Sequence, residues 1–172
     1  MKYGIAIFPS KAIQDEANAL RKRYDPEYAM IPPHITLKPG FNLGDTSIKD
    51  ITKSLQEISN NTKPFKININ KVSTFAPVTN TIYFKVDPEP ELDALHKKIQ
   101  ESISSSDNKD EFSFVPHITI SQDLVDEEYH DVFGSLKMKK VELEDYIDRM
   151  QLCYQLENGS WQVHETFKFT AN

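Results

Sequence analysis

The chain is poor in several residue types, and each shortage excludes something. It has one cysteine, Cys153, among 172 residues. A lone cysteine cannot close an internal disulfide, so a disulfide-built secreted scaffold is out and a reducing compartment fits. Five glycines leave no Walker or Gly-x-Gly-x-x-Gly loop to cradle phosphates, which counts against NTPases, kinases and dinucleotide-binding enzymes. Basic residues are also short: 20 Lys and Arg against 26 Asp and Glu give a net charge of −6. Non-specific DNA binding, which needs lysine and arginine along many phosphates, is therefore not expected, although one local phosphate site remains open. No apolar run nears the roughly 20 residues of a membrane span. The opening "MKYGIAIFPS" has too short an apolar stretch before Pro9 for a secretory leader, and no small-residue cleavage site follows it. We expect a cytoplasmic protein with no membrane partner, folded as a single domain over residues 1–172.

Metal-binding patterns are missing too. There is no Cys-x-x-Cys and no His-Glu-x-x-His, and two histidines alone fall short of the three or four protein ligands that zinc takes. The acidic run "DLVDEEYHD" lacks the spacing and the glycine of a calcium loop. No metal and no cofactor is expected.

What the chain does have is a repeated phrase. Residues 32–37 read "PPHITL" and residues 115–120 read "VPHITI". A single Pro-His-Ile-Thr-[Leu/Ile] phrase is already rare by chance in a chain of this length. Two copies call for a cause, and the surroundings repeat as well. "KYGIAIF" (2–8) is a strand, and a helix from Ser10 places Ile13, Ala17 and Leu20 on one face. "HITLKPGF" (34–41) is a half-buried strand, with Pro33 where strands tolerate proline. A helix capped at Asp45, Thr46 or Ser47 follows, burying Ile48, Ile51, Leu55 and Ile58. The second half runs in the same order. "TIYFKV" (81–86) is a strand, and Pro88 and Pro90 open a helix with Leu92, Leu95, Ile99 and Ile103 on one face. A polar loop over 104–111, the strand "HITIS" (117–121) and a helix near 123–134 complete the unit. Segments 65–75 and 139–145 read as further strands, the second short, charged and suited to a sheet edge. Segments 149–156 and 161–169 flank Asn158-Gly159, a hairpin signal. Strict alternation there puts Trp161, Val163 and Phe167 on one face. The fold class is α+β: two pseudo-symmetric lobes, each an antiparallel sheet with helices packed outside and an active cleft between them.

On a strand, residues i and i+2 share a face. His34 and Thr36 therefore project together while Ile35 and Leu37 enter the core, and His117 and Thr119 do the same opposite Ile118 and Ile120. A pseudo-two-fold axis would bring both pairs to one cleft. Two imidazoles that titrate near neutrality can serve as proton donor and acceptor. Two hydroxyls can donate to non-bridging phosphoryl oxygens as charge builds there. The same parity carries Lys38 and Ser121 onto these faces as candidate substrate-binding residues. His96, His130 and His164 read as incidental, at a helix boundary or exposed. Tyr3, Phe8, Phe41, Phe75 and Tyr83 offer aromatic surface, each with core as its ordinary place.

The two His-x-Thr phrases, with apolar residues at the intervening positions, resemble the signature of the 2H phosphoesterase superfamily, which includes LigT-like RNA ligase/cyclic phosphodiesterases. "GIAIFPS", "RKRYDP", "PPHITLK", "FVPHIT" and "YQLENGSW" are similar to its YjcG-like branch, from the first residues to the last strand. The resemblance implies a bilobal fold with a central cleft and a hydrolase acting on phosphoric esters. It implies His34 as proton donor and His117 as proton acceptor, with Thr36 and Thr119 beside them. The residues alone do not order these two roles, because the phrases are nearly identical. The expected partner is a small phosphodiester or RNA-end substrate, most simply a 2′,3′-cyclic phosphate, handled by a monomer. The alternative is a module that binds a nucleotide or RNA end in the same cleft and releases it unchanged.

Overall fold

The computed structural model describes residues 1–103 and 114–172. The polar loop expected over 104–111 lies outside the described residues. The strand–helix–strand–helix order is present twice. The first copy is β1 (Tyr3–Ile7), α1 (Lys11–Tyr24), β2 (Ile35–Phe41) and α2 (Ile48–Asn60). After β3 (Phe65–Thr74), the second is β4 (Ile82–Val86), α3 (Pro90–Ser102), β5 (His117–Ser121) and α4 (Asp126–Leu136). Strands β6 (Leu143–Ile147), β7 (Arg149–Gln155) and β8 (Trp161–Lys168) finish the chain.

Local chemistry accounts for the boundaries. Ser47 caps α2, its Oγ accepting the Asp50 N–H at 3.1 Å, and Ile51, Leu55 and Ile58 form the buried face. Pro90 opens α3, where a missing N–H costs nothing, and Leu92, Leu95 and Ile99 face inward. Gly159 takes a positive φ of 91° in the β7–β8 turn, a backbone state that glycine adopts without strain.

All strand pairs are antiparallel, and they form one eight-stranded sheet ordered β6-β3-β4-β5-β2-β1-β7-β8. The order is symmetric about its centre: β5 and β2 are innermost, β4 and β1 flank them, and strands from outside the repeat complete each half. The lobes are thus two halves of one sheet, joined where Ile35 pairs with Ile118. β6 lies at an edge, as its charge suggested. The helices pack on the face carrying Ile5, Ile7, Ile35, Leu37, Ile82, Phe84, Ile118, Ile120 and Leu152, each at most 1% exposed. Burying such a side chain contributes about 1.5–3 kcal/mol. Among the described residues no helix is long and apolar enough to cross a membrane.

One expected face does not hold. Val163 pairs with Cys153 but Glu165 pairs with Leu152, so His164 is an extra residue in β8. This β-bulge reverses the alternation beyond it. Phe167 turns to the core at 1% exposed, while Val163, on the Trp161 side of the bulge, is 49% exposed.

Candidate active site

The joint between the halves builds the site. Ile35 and Ile118 point to the helices, so their neighbours along β2 and β5 point to the opposite face. Antiparallel register through this pair sets His34 across from Thr119 and Thr36 across from His117. Each phrase thus faces the threonine of the other, and the two imidazoles are near enough for the charge of His117 to act on His34.

The two rings are held alike. His34 Nδ1 lies 2.9 Å from the Pro32 carbonyl and His117 Nδ1 lies 2.6 Å from the Val115 carbonyl. A carbonyl only accepts, so each Nδ1 carries the proton, and Nε2 of the neutral ring is left as a proton acceptor. Burial pushes both rings toward the neutral form. His34 is lowered from 6.5 to about 4, chiefly by desolvation, with the Pro32 bond opposing and the Arg21 charge adding to the fall. His117 is lowered as well, by desolvation against the Val115 bond.

Beyond each threonine the strand slips register. Ala6 pairs with Thr36 but Ile5 pairs with Lys38, which makes Leu37 the extra residue. In the other half Tyr83 pairs with Thr119 but Ile82 pairs with Ser121, which makes Ile120 extra. Both bulges fall at the last position of the His-x-Thr-x phrase, and each sets the following residue against a core-facing partner. Ser121 is accordingly 0% exposed, and its Oγ donates to the Tyr24 carbonyl at 3.0 Å. That is a correction to the parity argument: Ser121 fastens β5 to the end of α1 rather than facing a substrate. Lys38 is also 0% exposed, with Nζ 5.2 Å from the centre of the Phe41 ring, yet it still borders a cavity on the His34 side.

Two cavities meet at Thr36. The smaller, about 240 Å³, is bordered by His34, Thr36, Lys38, Glu27, Gln122 and Trp161 among others. The larger, about 660 Å³, lies between the halves beside His117, with Phe75, Val78, Phe114 and His96 in its wall. Phe75 and Tyr83 pack against the His117 ring at centroid distances of 4.9 and 5.0 Å. His96, half-buried on α3 at the helix boundary where it was expected, stacks on Phe114 at 3.9 Å and an interplanar angle of 1°. Among the described residues no three His, Cys, Asp or Glu side chains are grouped to hold a metal ion.

A buried ion pair stands behind His34. Arg21 Nε lies 3.2 Å from Asp25 Oδ2, with side chains 3% and 1% exposed. Arg21 also donates to Asn18 Oδ1 at 2.8 Å and to the Ile31 carbonyl at 2.7 Å. Asp25 accepts from the Glu27 N–H at 2.9 Å and from Gln122 of the other half at 3.0 Å. The pair therefore fixes the segment that delivers His34 and ties it to the end of β5. Neither residue stands out by motif in the sequence. A signal was nonetheless present, since Ile13, Ala17 and Arg21 recur every fourth residue on the buried face of α1, and Asp25, next in that series, is buried at its C-cap.

Fold and site together define a class, a two-lobed α+β protein with paired histidines at the joint of one antiparallel sheet. The chain belongs to the 2′-5′ RNA ligase superfamily, whose family model matches residues 9–159. A protein of Oceanobacillus iheyensis named as a candidate phosphoesterase is 57% identical over 97% of both chains. One from Bacillus mycoides, similarly named, is 54% identical over 97% of this chain and 96% of its own. Among solved structures, a Thermus thermophilus protein superposes with a TM-score of 0.73 at 16% identity, covering 99% of each chain. Escherichia coli LigT, solved with 3′-AMP, superposes at 0.65 with 15% identity, covering 99% of this chain and 98% of its own. These two likenesses are of fold.

Proposed function

We propose that this phosphoesterase-family protein is a metal-independent hydrolase that opens a 2′,3′-cyclic phosphate on a nucleotide or RNA end. Water attacks phosphorus while His117 Nε2 takes its proton. The bond from phosphorus to one ribose oxygen breaks, and that oxygen receives a proton from His34 Nε2. Thr36 and Thr119 donate to the non-bridging oxygens, and Lys38 adds positive charge behind them. The observation that carries this reading is the matched pair of imidazoles, each with Nδ1–H on the carbonyl two residues earlier. That bond fixes the ring and the tautomer, and turns a basic nitrogen outward on each side of the joint.

The lowered His117 keeps its acceptor neutral. His34 is uncharged in the open site at neutral pH, and it becomes a donor when an anionic phosphodiester beside it offsets the desolvation that holds its pKa down. E. coli LigT has been solved with 3′-AMP, a nucleotide monophosphate of the kind such an opening releases, which supports a nucleotide-sized ligand for this fold.

The test is hydrolysis of the four 2′,3′-cyclic nucleoside monophosphates with EDTA present, for wild type, His34→Ala and His117→Ala. Wild-type turnover should resist the chelator, and each substitution should lower kcat by about 10²–10⁴-fold. Turnover unchanged in both variants, or abolished by EDTA, would sink the mechanism. Tight nucleotide binding without turnover of any cyclic phosphate would favour the binding module instead.

A further inference from the structure

Each imidazole at the joint hangs from a backbone carbonyl, so whatever holds that carbonyl sets where the ring stands. The carbonyls belong to Pro32 and Val115, each two residues before its histidine. In both halves the residue preceding that carbonyl, Ile31 or Phe114, is gripped by a side chain from the first helix of the repeat.

On the His34 side the grip is Arg21 of α1. It donates to the Ile31 carbonyl at 2.7 Å from within its buried pair with Asp25. A charged donor makes such a bond stronger than a neutral one, which leaves Ile31 and the Pro32 carbonyl after it little freedom.

On the His117 side the matching helix is α3, and the side chain is His96. Its ring lies flat on Phe114, with centroids 3.9 Å apart and planes at 1°. Gln100, one turn along α3, has Nε2 3.1 Å from His96 Nε2. An amide N–H only donates, so this ring nitrogen accepts, and the bond sets the plane of the ring. Leu95 and Ile99, at 1% and 0% exposed, hold this stretch of α3 against the sheet. On the other side of Val115, the Pro116 carbonyl accepts from the Val86 N–H at 3.2 Å. The Val115 carbonyl, 2.6 Å from His117 Nδ1, thus stands between two anchors: the ring stack at Phe114 and the strand bond at Pro116.

Resting on the phosphoesterase reading above, we propose that His96 is a positioning residue for His117, the counterpart of Arg21 for His34. Through Phe114 it fixes the Val115 carbonyl, and with it the ring that takes the proton from water. His96 also borders the larger cavity, but its Nε2 is engaged by Gln100 and one face by Phe114, so its action runs through the chain rather than through a bond to the ligand.

The rings report this without any substrate. With isotope-labelled histidine, nitrogen spectra of wild type should show His34 and His117 each as one tautomer, Nδ1–H, at a pH where both are neutral. His34→Gln and His117→Gln assign the signals. In His96→Ala, His117 should pass to a mixture of Nδ1–H and Nε2–H forms while His34 keeps its own. Phe114→Leu, which removes the other member of the stack, should do the same. His96→Phe, which restores a flat ring, should return the wild-type signals. The kcat for a 2′,3′-cyclic nucleoside phosphate should fall about tenfold or more in His96→Ala and Phe114→Leu, and recover in His96→Phe. Unchanged His117 signals in both Ala and Leu variants, or an equal change at His34, would overturn the proposal. So would a loss of turnover with the His117 ring unmoved, which would make His96 a ligand contact. Wild-type protein that turns over no cyclic phosphate would remove only the catalytic reading, because the ring signals still decide what His96 positions.

Discussion

A histidine that gives its Nδ1–H to a backbone carbonyl and is half-buried in a cleft is a poor place for charge, and His34 shows the consequence. Between 6.5 and about 4 the unfolded chain binds a proton at this position that the folded chain refuses. The unfolded state binds more protons in that window, so stability is fully present above it and falls as pH drops through it. His117 contributes in the same direction. Urea midpoints at the two ends of the window should therefore differ less in His34→Gln than in wild type, and an equal difference would mean the ring is not buried as described. Activity follows the same groups. The kcat/KM profile reports the free enzyme and should have its optimum on the acid side of 6.5, since proton donation is lost above the donor's pKa. The kcat profile should lie at higher pH, because bound phosphate favours the protonated donor.

At the scale of the element, the end of α1 matters most. Its last turn carries Arg21, Lys22 and Arg23, which suits the negative end of the helix dipole, but only Arg21 is drawn inside. Removing it strands a buried carboxylate, so Arg21→Ala should cost about 3–5 kcal/mol in urea unfolding. Arg21→Lys should recover only part of this, since an ammonium cannot reproduce the planar fork that reaches Asp25, Asn18 and the Ile31 carbonyl. Near-wild-type stability of Arg21→Ala would show that water or a rearrangement satisfies Asp25. The strands teach a complementary lesson. Alternation placed His34, Thr36, His117 and Thr119 on their shared faces because these positions precede the bulges. It misplaced Ser121 and Phe167 because each lies just past one. A bulge is a property of two strands, and the partner of Ser121 is Ile82, on a strand that the chain laid down before α3.

Across the whole molecule, the halves are symmetric in space but interleaved in sequence. The chain builds β1, α1, β2 and α2 of one half, crosses to β3–β6 of the other, and returns to the first with β7 and β8. Side-chain bonds bridge the joint, from Ser121 to Tyr24 and from Gln122 to Asp25. These bonds and the β2–β5 pairing tie the halves together, so unfolding should be one cooperative transition. Trp161 fluorescence, which reports the first half, should coincide with far-UV circular dichroism, which reports the helices of both. Two separated midpoints would mean that the halves are independent units.

The sequence by itself determined the duplication, the strand–helix order, a helix start within Asp45–Ser47 and another at the Pro88 and Pro90 pair, and the shared face of each His-x-Thr pair. All of these depend on contacts within a few residues, where period and propensity act. The tertiary structure alone decided that the lobes form one sheet, that Leu37, Ile120 and His164 bulge, and that Arg21 and Asp25 are buried together. Each of those rests on which distant strand lies alongside. A backbone register such as that between Ile35 and Ile118 is set by packing of the whole core rather than by either segment's own pattern.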